Sequence, residues 1–460
     1  MPPPAPTISR RATELRDRNA ANPLLGAMGK MFGNQYSESN PDGVINAGMA
    51  ENSLMHPWLT AFFERQGSLK FEHTDLTYGQ SIAGSDRLLA ALSAFYSRYF
   101  DPLTPVNREH ICTSNGLSST IEHLASCISD PGDSWIIPTP YYNGFTEDLG
   151  ATAKVDIVAV PIPEGEHGET GEVEALEAEL ARRRQEGGSK VTAILVTSPH
   201  NPLGFCYKPS TLHAYCSLAE RWNLYLIIDE IYALSVFDSF DMPDPHPFVS
   251  ILSLDVKNEA GCSPSRIIQL YGLSKDFGAN GMRGGNLVTR NKELMGAIMA
   301  TAFPMKMGSP TDILWSALLN SPDLPTYLSS NRRALSRAYL YLSSWLKAQD
   351  IPYRPTHAGH FILSDWRKHV RKVKVEEQDE EREAEGPSKK QEIAFLSKLV
   401  DAGVYVGPGF SYAVSEGYGF FRITFSIRRE ELELALERME KTAGLPFLAK
   451  ELSRQYPIEP

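Results

Sequence analysis

The sequence runs to 460 residues, 42% of them hydrophobic and 22% charged, with a formal net charge of -11. That length exceeds one simple core and predicts a large domain beside a smaller one, while the composition is that of an ordinary soluble globular enzyme. No basic stripe is available to displace condensed counterions, which argues against a nucleic-acid partner.

The opening MPPPAPTISRR has no apolar h-region, so a secretory signal is not expected. Arg10, Arg11 and Arg16 resemble a transit peptide only weakly, because Glu14 and Asp17 interrupt them. No run reaches membrane-spanning length, and the cytoplasm is the expected location. The five cysteines (Cys112, Cys127, Cys206, Cys216 and Cys262) are scattered and lack CxxC spacing. They form neither a disulfide framework nor a metal site, as suits a reducing compartment.

Along the chain, TSNGLSST (113–120) precedes a helical run over 121–128. Short runs that are apolar on both faces follow at 134–138, 191–196, 224–228 and 266–271, the mark of buried parallel strands. A helix-length segment at 209–222 lies between two of them, so the pattern is βαβ and the fold class α/β. Past residue 320 the texture changes. Residues 331–349 predict one long amphipathic helix, with Leu335, Ala338, Tyr339, Leu342, Trp345 and Leu346 at helical spacing. A second unit follows, with strands at 360–363 and 420–425 and helices at 391–402 and 429–443. The acidic run between 372 and 390 reads as a solvated insertion.

In such sheets ligands bind at the carboxyl ends of the strands, and the polar motifs sit there. YGLSKDFGANGMRGG (271–285) sets Lys275 in a Gly/Ser-rich turn, with Arg283 eight residues on. A lysine held in a short polar turn suits a Schiff base, and a fixed cation nearby suits a phosphorylated carbonyl cofactor. Pyridoxal 5'-phosphate (PLP) meets both conditions. Its ring nitrogen needs a buried carboxylate, and Asp229 ends the run LIID; a helix cap is the plain alternative. Tyr232 and Asn201 are placed to hydrogen-bond the phenolic oxygen, although SPHNPLG (198–204) is also an ordinary turn. Gly116, Leu117 and Ser118 offer backbone donors for the phosphate at a helix start, and the same segment equally reads as a capped helix without a ligand. Tyr142 is the candidate plate for the ring face, or simple core. Arg422, on an otherwise apolar strand, is the candidate fork for a substrate carboxylate, or a structural salt bridge.

Together, Asp229 with Tyr232, Ser274-Lys275 and Arg283 resemble fold-type I PLP enzymes of the class I/II aminotransferase family. NPDGVI (40–45) with GMAENSL (48–54), PTPYY (138–142) and LSKDFG (273–278) are similar to its 1-aminocyclopropane-1-carboxylate (ACC) synthase-like branch. The resemblance implies a large domain with a mostly parallel sheet and a smaller α+β domain. The expected division is 1–70 for an N-terminal arm and part of the small domain, 71–325 for the PLP-binding domain, and 326–460 for the small domain. It assigns Lys275 the Schiff base, Asp229 the ring nitrogen, Asn201 and Tyr232 the phenolic oxygen, and Tyr142 the ring face. Ser118, Ser274 and Arg283 fall around the phosphate, Arg422 on the substrate carboxylate, and Glu51 near the substrate. Tyr78 matches the tyrosine that reaches the phosphate of a neighbouring subunit, which implies a homodimer with shared active sites. Two departures stand out: Gly272 occupies the place of a phosphate-binding serine, and the segment 82–84 lacks the aromatic of plant-type ACC synthases. The implied activity is a lyase of the C–S or ACC synthase-like type on an amino-acid substrate. An aminotransferase is the alternative, and a non-catalytic PLP-binding relative is a minor one.

Overall fold

The computed structural model describes residues 8–65, 70–79, 81–163, 165–375 and 386–456. The acidic stretch 376–385, the centre of the expected insertion, lies outside the described residues.

Strands occur in chain order at Ile45–Asn46 (β1), Ile111–Ser114 (β2), Ser134–Thr139 (β3), Asp156–Pro161 (β4), Val191–Thr197 (β5), Tyr225–Asp229 (β6), Ile267–Gly272 (β7), Gly285–Thr289 (β8), Phe361–Asp365 (β9), Val404–Tyr405 (β10), Gly407–Pro408 (β11) and Phe420–Thr424 (β12). Seven build one sheet in the order β2-β8-β7-β6-β5-β3-β4. The pairs β3–β4, β3–β5, β5–β6 and β6–β7 are parallel, while β8 runs against both its neighbours. The fold is thus α/β with a mostly parallel sheet.

The alternation of side chains along these strands explains why they read as continuous apolar runs. Trp135, Ile137, Ala193, Leu195 and Ile227 enter one core with Leu88, Leu92, Ile121 and Leu124. Ile136, Ile194, Val196, Leu226 and Ile228 enter a second core with Leu176, Leu180, Leu212 and Leu218. Both faces are therefore covered by helices, and each buried aliphatic side chain contributes about 1.5–3 kcal/mol.

A third core gathers Leu335, Tyr339, Leu342, Trp345 and Leu346 with Phe395, Leu399, Phe421, Ile423, Leu432 and Leu436. Met31, Val44 and Ile45 belong to it as well, because β1 pairs in parallel with β10 through Ile45↔Val404. The three-stranded sheet β11-β12-β9 is antiparallel throughout.

The predicted elements differ in detail. The long helix spans Leu324–Ala348 and starts seven residues before the expected 331, because Pro325 at its first turn needs no amide partner. The helix expected at 121 starts at Leu117. Strands β2, β4 and β8 carried no usable sequence signal: β2 is four residues long, β4 is an edge strand with alternate residues exposed, and β8 opens on a glycine.

Candidate active site

Lys275 lies three residues beyond the end of β7, and its Nζ donates to the Ala50 carbonyl at 2.6 Å. Burial lowers its pKa to about 8, helped by the charges of Arg422 and Arg283 and opposed by Glu51 and Asp229. Asp229 is the last residue of β6 and is buried. Its Oδ1 accepts from the Ile231 amide at 3.1 Å. Burial pushes its pKa up to about 7, against that hydrogen bond and the nearby charge of Lys275. A buried carboxylate that lacks a full cationic partner has the chemistry to hold one, such as a protonated ring nitrogen.

The candidate anion cradle is built from glycines. Gly116 caps the helix Leu117–Ile128 with φ 89°, and a Cβ there would lie 2.5 Å from Arg283 Nη2. The guanidinium of Arg283 therefore rests against the helix start that Gly116, Leu117 and Ser118 form, where free amides and the helix dipole attract a phosphate. On the other side, a Cβ on Gly285 would stand 2.8 Å from Gly116 C and 2.9 Å from the Leu117 amide nitrogen. Gly272 faces Gly285 across the ladder, and a Cβ there would sit 2.7 Å from the Gly284 carbonyl oxygen. The close approach of β7 to β8 thus leaves no room for a serine at 272. Ser274 is half-buried beside Lys275.

Arg422 lies in mid-strand on β12 and is buried. Nη1 donates to Asn201 Oδ1 at 2.8 Å and Nη2 to the Gly48 carbonyl at 2.6 Å. The rings of Phe361 and Tyr412 lie 4.6 Å and 4.7 Å from its guanidinium carbon. No carboxylate pairs with it among the described residues, and its Nε has no partner. The structural salt bridge allowed by the sequence is not what holds it. Because Asn201 Oδ1 is taken by Arg422, the asparagine NH2 is the group left to donate elsewhere.

Tyr232 is buried, with its ring edge-to-face against Phe361 at 5.5 Å. Tyr142 meets Phe145 at 5.2 Å, and the charges of Asp148, Arg422 and Asp229 all reach it. Glu51 neither caps a helix nor pairs with an arginine among the described residues. Its carboxylate accepts from Asn46 Nδ2 at 3.2 Å and Asn280 Nδ2 at 3.3 Å, and its charge reaches Lys275. Tyr78 stands apart from these residues in its own chain. It is 79% exposed, packs its ring on Phe303 at 5.2 Å and offers its carbonyl to Lys306.

Sequence reasoning missed several neighbours. Tyr412, Phe361, His360 and Asp148 all border the cluster, and Asp148 has its pKa raised to about 6 by burial. Tyr412 and Phe361 become visible only once strands far apart in sequence meet, and Asp148 sits in a helix that looks unremarkable.

A lysine, a buried carboxylate and a glycine-lined helix start, gathered at one end of a mostly parallel sheet, have the chemistry that suits pyridoxal phosphate on an α/β scaffold. A model for "Aminotransferase class I and II" matches residues 46–439. The chain belongs to this family, whose cofactor is pyridoxal 5'-phosphate. It is 33% identical over 404 residues to the "Probable aminotransferase aclI" of Aspergillus oryzae, covering 87% of this chain and 91% of that protein. It is 30% identical over 410 residues to the human "Probable inactive 1-aminocyclopropane-1-carboxylate synthase-like protein 2", covering 88% and 68%. Relatives of this kind place it in the ACC synthase-like branch. Aspartate aminotransferase from Thermus thermophilus with maleate shares the fold, with a TM-score of 0.71 at 20% identity over 95% of this chain and all of that one. Among the described residues, no helix is long and apolar enough to cross a membrane.

Proposed function

We propose that this chain is a PLP-dependent enzyme that breaks the Cα–H bond of an α-amino acid and eliminates a sulfur-bearing group from its side chain. The observation that carries the reading is the grouping of Lys275, Asp229 and Arg422, with Arg422 free of any carboxylate partner among the described residues. The domain division at residues 70 and 325 and a shared homodimeric site belong to the same reading.

Bound PLP supplies a carbonyl carbon that takes up an amine and a ring that receives the electron pair left when a bond to Cα breaks. Asp229 keeps the ring nitrogen protonated. Asn201, through its free NH2, and Tyr232, through its hydroxyl, donate to the phenolic oxygen. Gly116, Leu117, Ser118, Ser274 and Arg283 would hold the phosphate, with Tyr78 of a neighbouring subunit, and Tyr142 would cover the ring. Arg422 would grip the substrate carboxylate and so fix the orientation of the Cα–H bond. Lys275, whose amine burial brings to a pKa of about 8, takes that proton as general base in its neutral form.

Glu51 supports elimination over transamination of a dicarboxylic acid. A second side-chain carboxylate placed beside Glu51 would meet a like charge, and that contact is unfavourable. A sulfonium or substituted thioether meets no such penalty. Aminotransfer remains the second reading, favoured by the name of the Aspergillus relative. A non-catalytic relative is disfavoured because Lys275 and Asp229 are both in place. The holoenzyme should be incubated with an S-substituted cysteine, with S-adenosylmethionine, and with an amino acid plus 2-oxoglutarate. Release of a thiol, or of a thioether with a cyclopropane product, supports elimination; a new 2-oxo acid with glutamate overturns it.

A further inference from the structure

The cluster holds one fully buried imidazole that has no part in the scheme above. His360 immediately precedes β9 and is 0% exposed. Its Nε2 lies 3.0 Å from Ser235 Oγ, and Ser235 Oγ donates to Asp276 Oδ1 at 2.6 Å. The serine proton is thereby committed to Asp276, so its oxygen accepts and His360 Nε2 must carry the hydrogen. His360 Nδ1 is then a bare acceptor, without a partner among the described residues. Burial, reinforced by the charges of Lys275 and Arg422, holds the His360 pKa well below its usual value, so the ring is neutral.

This hydrogen-bonded chain joins three elements. Asp276 follows Lys275 directly and also accepts from the Leu234 amide and from Tyr271 Oη, both at 2.9 Å. Ser235 lies three residues after Tyr232, and its carbonyl accepts from the Gly359 amide at 3.0 Å. At the far end, the His360 ring meets the Tyr232 ring edge-to-face, 5.2 Å between centroids and 88° between planes. The lysine loop, the segment after β6 and the entry to β9 are thus tied through one serine hydroxyl.

We propose that Asp276, Ser235 and His360 form a positioning relay that fixes the Tyr232 ring relative to Lys275, with His360 a positioning residue for the cofactor's phenolic oxygen. The inference rests on the assignment of Tyr232 to that oxygen. Loss of the imidazole leaves the buried Ser235 Oγ without its donor, which favours rotation of the serine and release of Asp276. A donor at the phenolic oxygen withdraws charge from it and makes the adjacent lysine–cofactor nitrogen less basic. A displaced Tyr232 therefore moves the pH midpoint of the holoenzyme's visible absorbance upward.

The test compares that midpoint in wild type, Tyr232→Phe, His360→Leu, His360→Gln and Ser235→Ala, alongside Tm of each apoprotein. Tyr232→Phe, His360→Leu and Ser235→Ala should each raise the midpoint by about one pH unit. His360→Gln, whose amide nitrogen replaces the Nε2 donor, should stay close to wild type. If His360→Leu does not fold, Ser235→Ala and His360→Gln carry the same contrast. A shift in Tyr232→Phe but in neither Ser235→Ala nor His360→Leu overturns the relay, as does a fall in Tm with the midpoint unmoved. No shift in Tyr232→Phe itself overturns the assignment of Tyr232, and the relay with it.

Discussion

Single side chains carry most of the chemistry, and each is set by its surroundings. Lys275 is deprotonated far more readily than an exposed lysine because burial lowers its pKa to about 8. Its neutral amine is the form that captures the cofactor, so the reconstitution rate of apoenzyme with PLP should rise as pH increases through about 8 and level off above it. A rate flat between pH 6.5 and 9.5 would contradict the assignment. At Arg422, replacement by lysine keeps the charge and loses the fork. Arg422→Lys should weaken amino-acid binding by about 1.5–3 kcal/mol, the scale of a charge-assisted hydrogen bond, and leave PLP affinity nearly unchanged in equilibrium titrations. Glu51→Gln should narrow the gap in turnover between aspartate and a thioether amino acid; efficient use of aspartate by both forms would remove Glu51 from specificity. Lys275, Asp229 and Arg422 were legible in the sequence because each is a charged residue set against an apolar or glycine-rich background. The rings of Phe361 and Tyr412 around Arg422, and the pairing of Asn201 with Arg422, were not, since no local spacing brings residues 201, 361, 412 and 422 together.

Elements meet here through glycine. The helix Leu117–Ile128 starts against Gly285 of β8, and any side chain at 285 would strike the backbone of Gly116 and Leu117. Backbone atoms yield poorly, and overpacking costs about 1–3 kcal/mol. Gly285→Ala should therefore weaken PLP binding by roughly tenfold or more, read by titration of the apoenzyme, with a smaller drop in Tm. Unchanged affinity would mean that the helix start does not hold the phosphate. A separate close approach, to the Gly284 carbonyl, explains Gly272, which the sequence presented only as a missing serine. The four strands with continuous aliphatic runs, β3, β5, β6 and β7, were legible within a residue or two. Strand β8, which closes the cradle, was hidden because its first residue is a glycine chosen for close approach rather than for strand propensity.

At the scale of the molecule, the chain returns on itself: β1 near the N-terminus pairs with β10 and shares a core with the C-terminal elements. That return could not be read from composition, because it depends on a two-residue pairing between positions 45 and 404. Tyr78 is 79% exposed, and the proposed shared site assigns it to a neighbouring subunit. In the shared-site reading, a Lys275→Ala chain and a Tyr78→Phe chain reassembled together should form a hybrid with one complete site and regain activity that neither parent pair shows; no recovery would restrict each site to its own chain. Deletion of 376–385, a segment too polar to bury area, should leave Tm and turnover close to wild type, and a large loss would give the acidic run a functional role. The account as a whole turns on one lysine. Borohydride reduction of the wild-type holoenzyme, followed by peptide mapping by mass spectrometry, should place the pyridoxyl group on Lys275, with no adduct in Lys275→Ala. An adduct on another lysine, or one that persists in the variant, would contradict it.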